Sequence, residues 1–240
     1  MLLPIYEQSY TVPPSDCGYD GRLSVADALS LFQDISSVHA SLLKGGVYDL
    51  AKKDLFWLTV KTKAHFECRP RLGDTVTLAT WPENLTGVRC LRDYTITKGD
   101  DILISGKTEW AIINLQTGKL HKAEEVYPPE LQAPDKVILP EPFVRFEREA
   151  PEEILGTYTV RSTDIDLGGH MNNIAYLRAF MGLLPVDKQK SMPCRDLEIH
   201  FRAQCFEGDT LTFRQKQEGG ALWVHALLPD GKTAVQIMLR

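Results

Sequence analysis

Residues 163–177 of the chain read TDIDLGGHMNNIAYL. A polar turn that contains two glycines and a histidine leads into an apolar stretch with helical spacing. Asn172 stands at this junction, and because asparagine is favoured as a helix N-cap, we predict a helix that begins there. A cap needs only one short polar side chain. The further presence of Asp166 and His170 therefore indicates groups that hold or transfer protons, as in an active site.

The composition excludes several classes of protein. A net charge of −5 argues against nucleic-acid binding, which needs a basic stripe. No apolar run approaches the roughly 20 residues of a membrane helix, and no basic segment followed by a long apolar one marks a secretion signal. The cysteines are scattered and never at metal-ligand spacing, so we expect a cytoplasmic protein with no disulfide, metal or cofactor. These cysteines are Cys17, Cys68, Cys90, Cys194 and Cys205.

The chain repeats parts of its own sequence. The pattern of residues 10–16 returns at residues 158–164, an offset of 148 positions. The pattern of residues 65–75 returns at residues 200–210, an offset of 135 positions. Two matched blocks in the same order indicate a duplication. Because the offset shrinks by 13 positions, we expect a longer connection in the first copy, around residues 44–54.

Each copy is predicted to contain an entering strand, a polar turn, an amphipathic helix and an antiparallel meander. The helices are predicted over residues 24–43 and 172–184. The strands of the first copy are predicted at 56–66, 75–81, 88–97 and 102–114, and those of the second at 197–204, 210–217, 222–228 and 233–239. One helix on one antiparallel sheet in each copy makes an α+β fold.

The proposed domains follow from this repeat. The first copy is assigned to residues 1–126 and the second to residues 148–240. Residues 127–147 between them contain several prolines, which favour an extended linker.

Only the second copy contains the chemical residues of the turn. At the 148 offset, Asp166 corresponds to Gly18 and His170 to Arg22. A purely structural role would require these residues in both turns. We therefore expect the second copy to carry the chemistry, and the first to supply a wall, a pocket or a partner surface. The asparagines follow the same pattern, with Asn172 opposite Ser24 and Asn173 opposite Val25.

The motif Asp-x-x-Gly-His-x-Asn-Asn-x-x-Tyr at residues 166–176, between a strand and a helix, is similar to that of hot-dog thioesterases. The chain resembles the acyl-carrier-protein thioesterases of bacteria and plants in three features: its duplication, the segment FWLTV at residues 56–60 and the segment PRLGDTV at residues 70–76. The segment 81–120 fits the same family, so the resemblance covers residues 6–239. It implies a tandem (double) hot-dog fold, each repeat a long helix wrapped by an antiparallel sheet. The implied activity is hydrolysis of fatty acyl-acyl carrier protein to free fatty acid.

The resemblance also assigns site residues. Asp166, His170, Asn172 and Asn173 match the family motif. Two positions depart from it. The family usually has asparagine where this chain has Gly168, and glutamate where it has Gln204, next to the retained Cys205.

A thioester has a good leaving group, so its hydrolysis needs a polarised carbonyl and a placed nucleophile. The N-terminus of the predicted helix offers unpaired backbone N–H groups, and the turn glycines Gly168 and Gly169 lead into it. We expect the N–H of Gly169 or His170 to hold the oxyanion, a contact worth about 3 kcal/mol. Asp166 is the leading base or water-orienting group, and we expect His170 to orient or deprotonate the nucleophile and to protonate the thiolate. Of Asn172 and Asn173, one caps the helix and the other braces the turn.

Cys205 and Gln204 compete for the remaining role. Neighbouring side chains on a strand face opposite sides, so both reach one site only if the strand bulges or ends there. Pro70, which corresponds to Cys205 in the first copy, indicates such a break. Direct attack by water, organised by Asp166 with Gln204 bound to that water, is the preferred route. A covalent route through a Cys205–His170 pair is the alternative.

The acyl chain is expected in an apolar channel, where each buried methylene contributes about 0.8 kcal/mol. Trp57, Trp110, Phe32 and Phe56 are candidates for its floor. The expected partner is acyl carrier protein with its phosphopantetheine arm, and either a monomer or a homodimer is compatible with a fused pair. Two other functions stay open, an acyl-CoA thioesterase and a non-catalytic acyl-binding hot-dog protein. The cations available to an acidic carrier are Arg69, Arg71, Arg161, Arg178 and Arg202.

Overall fold

The computed structural model describes residues 3–192 and 194–240. The chain separates into two compact units, Met1–Glu141 and Pro142–Arg240. Over the described ranges, no helix has the length and apolar character needed to cross a membrane.

The first unit is built on one antiparallel sheet. Its strands follow the order β1-β3-β4-β5-β2, and the short β6 pairs with β5. The elements are β1 Tyr6–Thr11, α1 Val25–Leu42, α2 Val47–Ala51, β2 Leu55–Phe66, β3 Thr75–Pro82, β4 Cys90–Lys98, β5 Asp101–Asn114 and β6 Leu120–His121.

The second unit repeats this plan with a shorter long helix. Its sheet has the order β8-β11-β10-β9-β7, and neighbouring strands are antiparallel. The elements are β7 Glu153–Thr159, α3 Asn173–Leu183, α4 Val186–Ser191, β8 Asp196–Phe201, β9 Thr210–Glu218, β10 Ala221–Leu227 and β11 Thr233–Leu239. The α+β class predicted from the sequence is confirmed.

Each long helix buries an apolar face. In α1, the ring of Phe32 stacks on Tyr94 with 4.6 Å between centroids. Gly106 of β5 makes room for this ring, because a Cβ atom there would lie 2.2 Å from it. In α3, Leu177 and Phe180 are fully buried. Burial of such side chains holds each helix in place at roughly 2 kcal/mol per residue.

The duplication is visible in the hydrogen bonds. Tyr158 donates to the Oδ2 atom of Asp164 at 2.8 Å, and Tyr10 donates to the same atom of Asp16. The backbone bonds repeat at both offsets read from the sequence. The matching pairs are Ser24 N to Asp16 O with Asn172 N to Asp164 O, Leu23 N to Pro70 O with Met171 N to Cys205 O, and Gly73 N to Val12 O with Gly208 N to Val160 O.

The 13 additional residues of the first copy do not lie where we expected them. The connection after the long helix has the same length in both units, residues 43–54 and 184–195, and each contains a short helix. Instead, α1 has 18 residues against 11 in α3, and β2 has 12 against 6 in β8. The prediction of a longer connection around residues 44–54 is therefore wrong, because the extra residues extend the long helix and a strand.

The proline-rich segment is hydrogen-bonded to side chains of the first sheet. Trp81 Nε1 donates to the Lys136 carbonyl at 2.9 Å, and the Ile138 N–H donates to Asp93 at 3.3 Å. Asp93 is fully buried, with Lys107 at 3.7 Å.

In the second unit, the residues after Pro142 lie against its own sheet. The Val144 N–H donates to the buried carboxylate of Glu198 at 2.8 Å, and Gln236 Nε2 donates to the Glu147 carbonyl at 3.0 Å. Glu198 in turn bonds to the buried His200 at 2.6 Å. Because paired polar groups are costly to separate when buried, these contacts fix the path of the segment.

Candidate active site

The conspicuous turn of the sequence lies between β7 and α3. The Asp166 N–H donates to the His170 carbonyl at 3.0 Å, and the Gly169 N–H donates to the Asp166 carbonyl at 2.9 Å. Gly169 has a φ angle of +75°, a left-handed conformation that favours glycine. The backbone therefore closes a tight loop that brings both ends of residues 166–170 together.

The helix begins directly after this loop. Asn172 is the N-cap of α3, and its side chain accepts a hydrogen bond from the Ile174 N–H at 2.8 Å. Asn173 is the first helical residue. Of the two asparagines, Asn172 is therefore the one that caps the helix.

The loop brings Asp166 and His170 together. The Oδ1 atom of Asp166 accepts from the Gly168 N–H at 2.8 Å and lies 3.9 Å from His170 Nδ1. His170 Nδ1 also lies 3.4 Å from the carbonyl of Met171. We assign the proton to Nδ1 from this contact, which leaves Nε2 as an acceptor. Both side chains remain partly accessible, at 15% for His170 and 27% for Asp166.

Gly168 allows this arrangement. A Cβ atom at Gly168 would lie 2.8 Å from His170 Nε2 and 3.0 Å from Asp166 Oδ1. The space that a side chain would need is therefore occupied by the imidazole and the carboxylate. Any larger residue at Gly168 requires the His170 ring to move.

The segment that contains Cys205 and Gln204 follows the end of β8. This strand ends at Phe201, three residues before the predicted end, so the regular alternation of side chains stops there. Cys205 is fully buried, and its carbonyl accepts from the Met171 N–H at 2.8 Å. Gln204 is exposed. The two side chains therefore point to different environments.

Burial raises the pKa of the Cys205 thiol, although a hydrogen bond from Tyr176 favours the thiolate. The thiolate is the nucleophilic form of cysteine. A neutral, enclosed thiol is a poor nucleophile, so the environment of Cys205 does not resemble that of an activated cysteine.

Tyr176 is the last residue of the sequence motif and lies on α3. Its side chain is buried, and its hydroxyl lies 3.4 Å from the Ala203 carbonyl and hydrogen-bonds to the Cys205 thiol. Burial and the Cys205 contact raise the pKa of Tyr176. The signal that could have identified it is the repeat, because the first copy has Ala28 at this position.

The first unit forms the same backbone turn without these side chains. The Gly18 N–H donates to the Arg22 carbonyl at 2.8 Å, as Asp166 does to His170 in the second unit. Arg22 Nη1 donates to the Arg69 carbonyl at 2.7 Å, and Arg69 pairs with Asp20. Arginine side chains thus close this turn.

The aromatic candidates for the channel floor have separate positions in the first unit. The Phe32 ring packs against Tyr94 in the core. Trp57 and Trp110 meet edge to face at 6.3 Å, and Trp57 Nε1 donates to the Gly45 carbonyl at 2.8 Å. Both tryptophans border an apolar cluster and are partly buried, as is Phe56.

Comparison with protein families matches both units. The acyl-ACP thioesterase N-terminal domain matches residues 4–129, and the acyl-ACP thioesterase C-terminal domain matches residues 147–239. The boundary between the matches falls in the proline-rich segment.

Similar curated proteins come from plants. An acyl-[acyl-carrier-protein] hydrolase of Cuphea viscosissima, named as chloroplastic, is 23% identical over 240 residues, which cover 92% of this chain and 58% of that protein. The chloroplastic dodecanoyl-[acyl-carrier-protein] hydrolase of Cinnamomum camphora is 22% identical over 250 residues, which cover 96% of this chain and 65% of that protein. The chain therefore spans between half and two thirds of the length of these relatives.

Solved structures share the fold over nearly the whole chain. An acyl-ACP thioesterase from Bacteroides thetaiotaomicron superposes with a TM-score of 0.88 at 20% identity, covering 98% of this chain and 97% of that chain. The 12:0-ACP thioesterase from Umbellularia californica superposes with a TM-score of 0.81 at 18% identity, covering 100% and 98%. The α+β double hot-dog fold is thereby confirmed. Since both domain models match in order and together span most of the sequence, this chain belongs to the acyl-ACP thioesterase family.

Proposed function

We propose that this protein hydrolyses the thioester of fatty acyl-acyl carrier protein and releases free fatty acid, with the turn at residues 166–170 as its active site. The observation that carries this proposal is the placement of the Asp166 carboxylate and the His170 imidazole around Gly168, directly before α3. The names of the curated relatives support the substrate class.

The oxyanion donor in this proposal is the backbone N–H of His170. The sequence left Gly169 and His170 as candidates. The Gly169 N–H already donates to the Asp166 carbonyl, whereas that of His170 donates to no acceptor within the described residues. Its place just before α3 also puts it at the positive end of the helix dipole, which favours a developing negative charge. One such donor typically contributes about 3 kcal/mol to the transition state.

Water is the proposed nucleophile. It transfers a proton to His170 Nε2 as its oxygen bonds to the thioester carbon, with Asp166 and Gln204 orienting the water. The carbon–sulfur bond then breaks, and the protonated imidazole returns its proton to the thiolate of the phosphopantetheine arm. The products are the free fatty acid and the carrier thiol.

The burial of Cys205 supports this direct route over the covalent one. An acyl-enzyme would require the thiolate to reach the substrate carbonyl, but the sulfur is enclosed and its pKa is raised by burial. In the proposed route Cys205 does not form a bond to the substrate.

The proposed organisation keeps the boundaries read from the sequence. Residues 148–240 carry the active site, residues 1–126 form the repeat without it, and residues 127–147 join them. We propose a monomer or homodimer whose partner is acyl carrier protein. A cytoplasmic location is part of this proposal, whereas the plant relatives are named as chloroplastic.

A thiol-release assay tests the proposal. The purified protein is given acyl-carrier and acyl-CoA substrates of several chain lengths, with Asp166→Asn as the impaired variant. We expect release from acyl carrier protein well above the buffer rate, and faster than from CoA at equal chain length. A preference for CoA would identify an acyl-CoA thioesterase. Acyl binding without thiol release would identify a non-catalytic binding protein, which the departures at Gly168 and Gln204 would then explain.

A further inference from the structure

Residues 203–205 are held on both sides of Gln204. The Ala203 N–H donates to the Ala234 carbonyl at 3.2 Å, which ties the segment to β11. On the other side, the Cys205 carbonyl accepts from the Met171 N–H of the active-site turn at 2.8 Å. Tyr176 adds two contacts from α3, to the Ala203 carbonyl at 3.4 Å and to the Cys205 thiol.

These contacts place Gln204 between two anchored neighbours. Its own side chain is exposed while Cys205 is fully buried. The ring of Tyr176 packs edge to face on Phe201, the last residue of β8, with 6.0 Å between centroids. Tyr176 therefore contacts this segment from the end of the strand to the residue that touches the turn.

The first unit reaches the same backbone path differently. Its counterpart of Cys205 is Pro70, whose carbonyl accepts from the Leu23 N–H at 2.8 Å. Proline restricts its own φ angle, so the chain there is stiff without an added side-chain contact. The counterpart of Tyr176 in that unit is Ala28. The second unit therefore has a tyrosine contact at a place where the first unit has a proline.

We propose that Tyr176 is a positioning residue that acts through Gln204. Its hydroxyl fixes residues 203–205 beside the turn, so that the Gln204 amide is held where it orients the attacking water. This role rests on the proposed function of the turn. Cys205 contributes as the internal anchor of the pair.

Tyr176→Phe tests this role, because it keeps the ring against Phe201 and removes the hydroxyl. We expect kcat for acyl-carrier hydrolysis to fall about five- to tenfold, the effect of one lost hydrogen bond, with KM changed less than about twofold. In a Gln204→Ala background, the same substitution should change kcat by less than about twofold. A merely structural effect would instead lower kcat by the same factor in both backgrounds.

The matched control is Tyr10→Phe. Tyr10 also uses its hydroxyl to hold a turn, by donating to Asp16 in the first unit. We expect this variant to leave kcat within about twofold of the unmodified protein, because its turn lacks the proton-transfer pair.

A second readout does not depend on activity. Alkylation of Cys205 by iodoacetamide, followed by mass spectrometry, reports how often the anchored segment opens. We expect Tyr176→Phe to accelerate it about fivefold or more, whether or not the thiol-release assay detects turnover. Unchanged alkylation overturns the anchoring, and equal losses of kcat in both backgrounds overturn the action through Gln204. Absence of turnover in the unmodified protein, with faster alkylation in the variant, contradicts the proposed function and the catalytic part of this role while leaving the anchor established.

Discussion

The Oδ1 atom of Asp166 lies 3.9 Å from the Nδ1 atom of His170, beyond hydrogen-bonding distance. The carboxylate is oriented by the Gly168 N–H and the ring lies next to the Met171 carbonyl, so backbone groups fix both side chains. Because neither group satisfies the other, both keep acceptor atoms for a third molecule. In the proposed reaction that molecule is the attacking water.

Asp166→Asn should lower kcat at least about 100-fold, since a neutral amide cannot orient the attacking water as a carboxylate does. The fold should persist, because the amide oxygen can still accept from the Gly168 N–H. Thiol release and the thermal unfolding midpoint measure the two effects. Asp20→Asn, at the position equivalent to Gly168 in the first unit, is the control and should retain activity. Near-normal turnover of Asp166→Asn would remove this carboxylate from the mechanism.

Cys205→Ala should keep activity within about fivefold, because the enclosed thiol is not the proposed nucleophile. The same substitution should lower the free energy of unfolding by about 1 kcal/mol through the small cavity that it leaves. Steady-state kinetics and urea unfolding measure these effects, with the exposed Cys68→Ala as control. Loss of turnover together with an acyl adduct on Cys205 of the unmodified protein would establish the covalent route instead.

Gly168→Ala should lower kcat about 10- to 100-fold, because the added Cβ would meet His170 Nε2 at 2.8 Å and displace the ring. Misplacement of a catalytic group by about 1 Å has effects of this size. Gly182→Ala in α3 is the matched control, since no atom lies within 4 Å of its added Cβ. That control should keep full activity and unfold at a slightly higher temperature. Full activity of Gly168→Ala would contradict the position of the imidazole.

Asp93 predicts a pH effect on stability. Burial and the nearby Glu83 raise the pKa of Asp93 from 3.8 to about 6, although Lys107 opposes this. Between these values the folded protein holds a proton that the unfolded chain has released. The contribution of Asp93 to the free energy of unfolding therefore falls as the pH rises from about 4 to 6, by up to about 3 kcal/mol, and stays low above pH 6.

Asp93→Asn should remove this dependence, because asparagine does not titrate. Urea unfolding from pH 4.5 to 8 measures it, and the variant should gain stability relative to the unmodified protein as the pH rises. Asp101→Asn, at the exposed start of β5, is the control for replacing a carboxylate outside the core. If the free energy of unfolding of Asp93→Asn ran parallel to that of the unmodified protein across this pH range, burial would not govern the pKa of the Asp93 carboxyl.

Local sequence signals predicted most elements of the fold. Polar caps at Ser24 and Asn172 mark where the long helices begin. The strand boundaries predicted from alternating patterns and glycine turns agree with those of the structure within two residues, apart from the end of β8. The 13 additional residues were misplaced because an offset counts residues between matched blocks. It does not say whether a helix, a strand or a connection contains them.

The site was less predictable than the fold. The sequence identified the turn, but the distance from Asp166 to His170 depends on side-chain rotamers. The position of the imidazole in the space next to Gly168 also depends on these rotamers. Although β8 ends at Phe201, Gln204 stays exposed and Cys205 is buried, so the end of the strand does not bring their two side chains into one environment.

The repeated hydrogen bonds around Asp16 and Asp164 have an evolutionary consequence. In an assembly of identical chains, every substitution appears in all subunits at once. A change that inactivates one reactive loop therefore inactivates the equivalent loop in every other subunit. A fused chain escapes this constraint. In this chain one turn has Gly18 and Arg22 where the other has Asp166 and His170, although the backbone hydrogen bonds around both turns are the same.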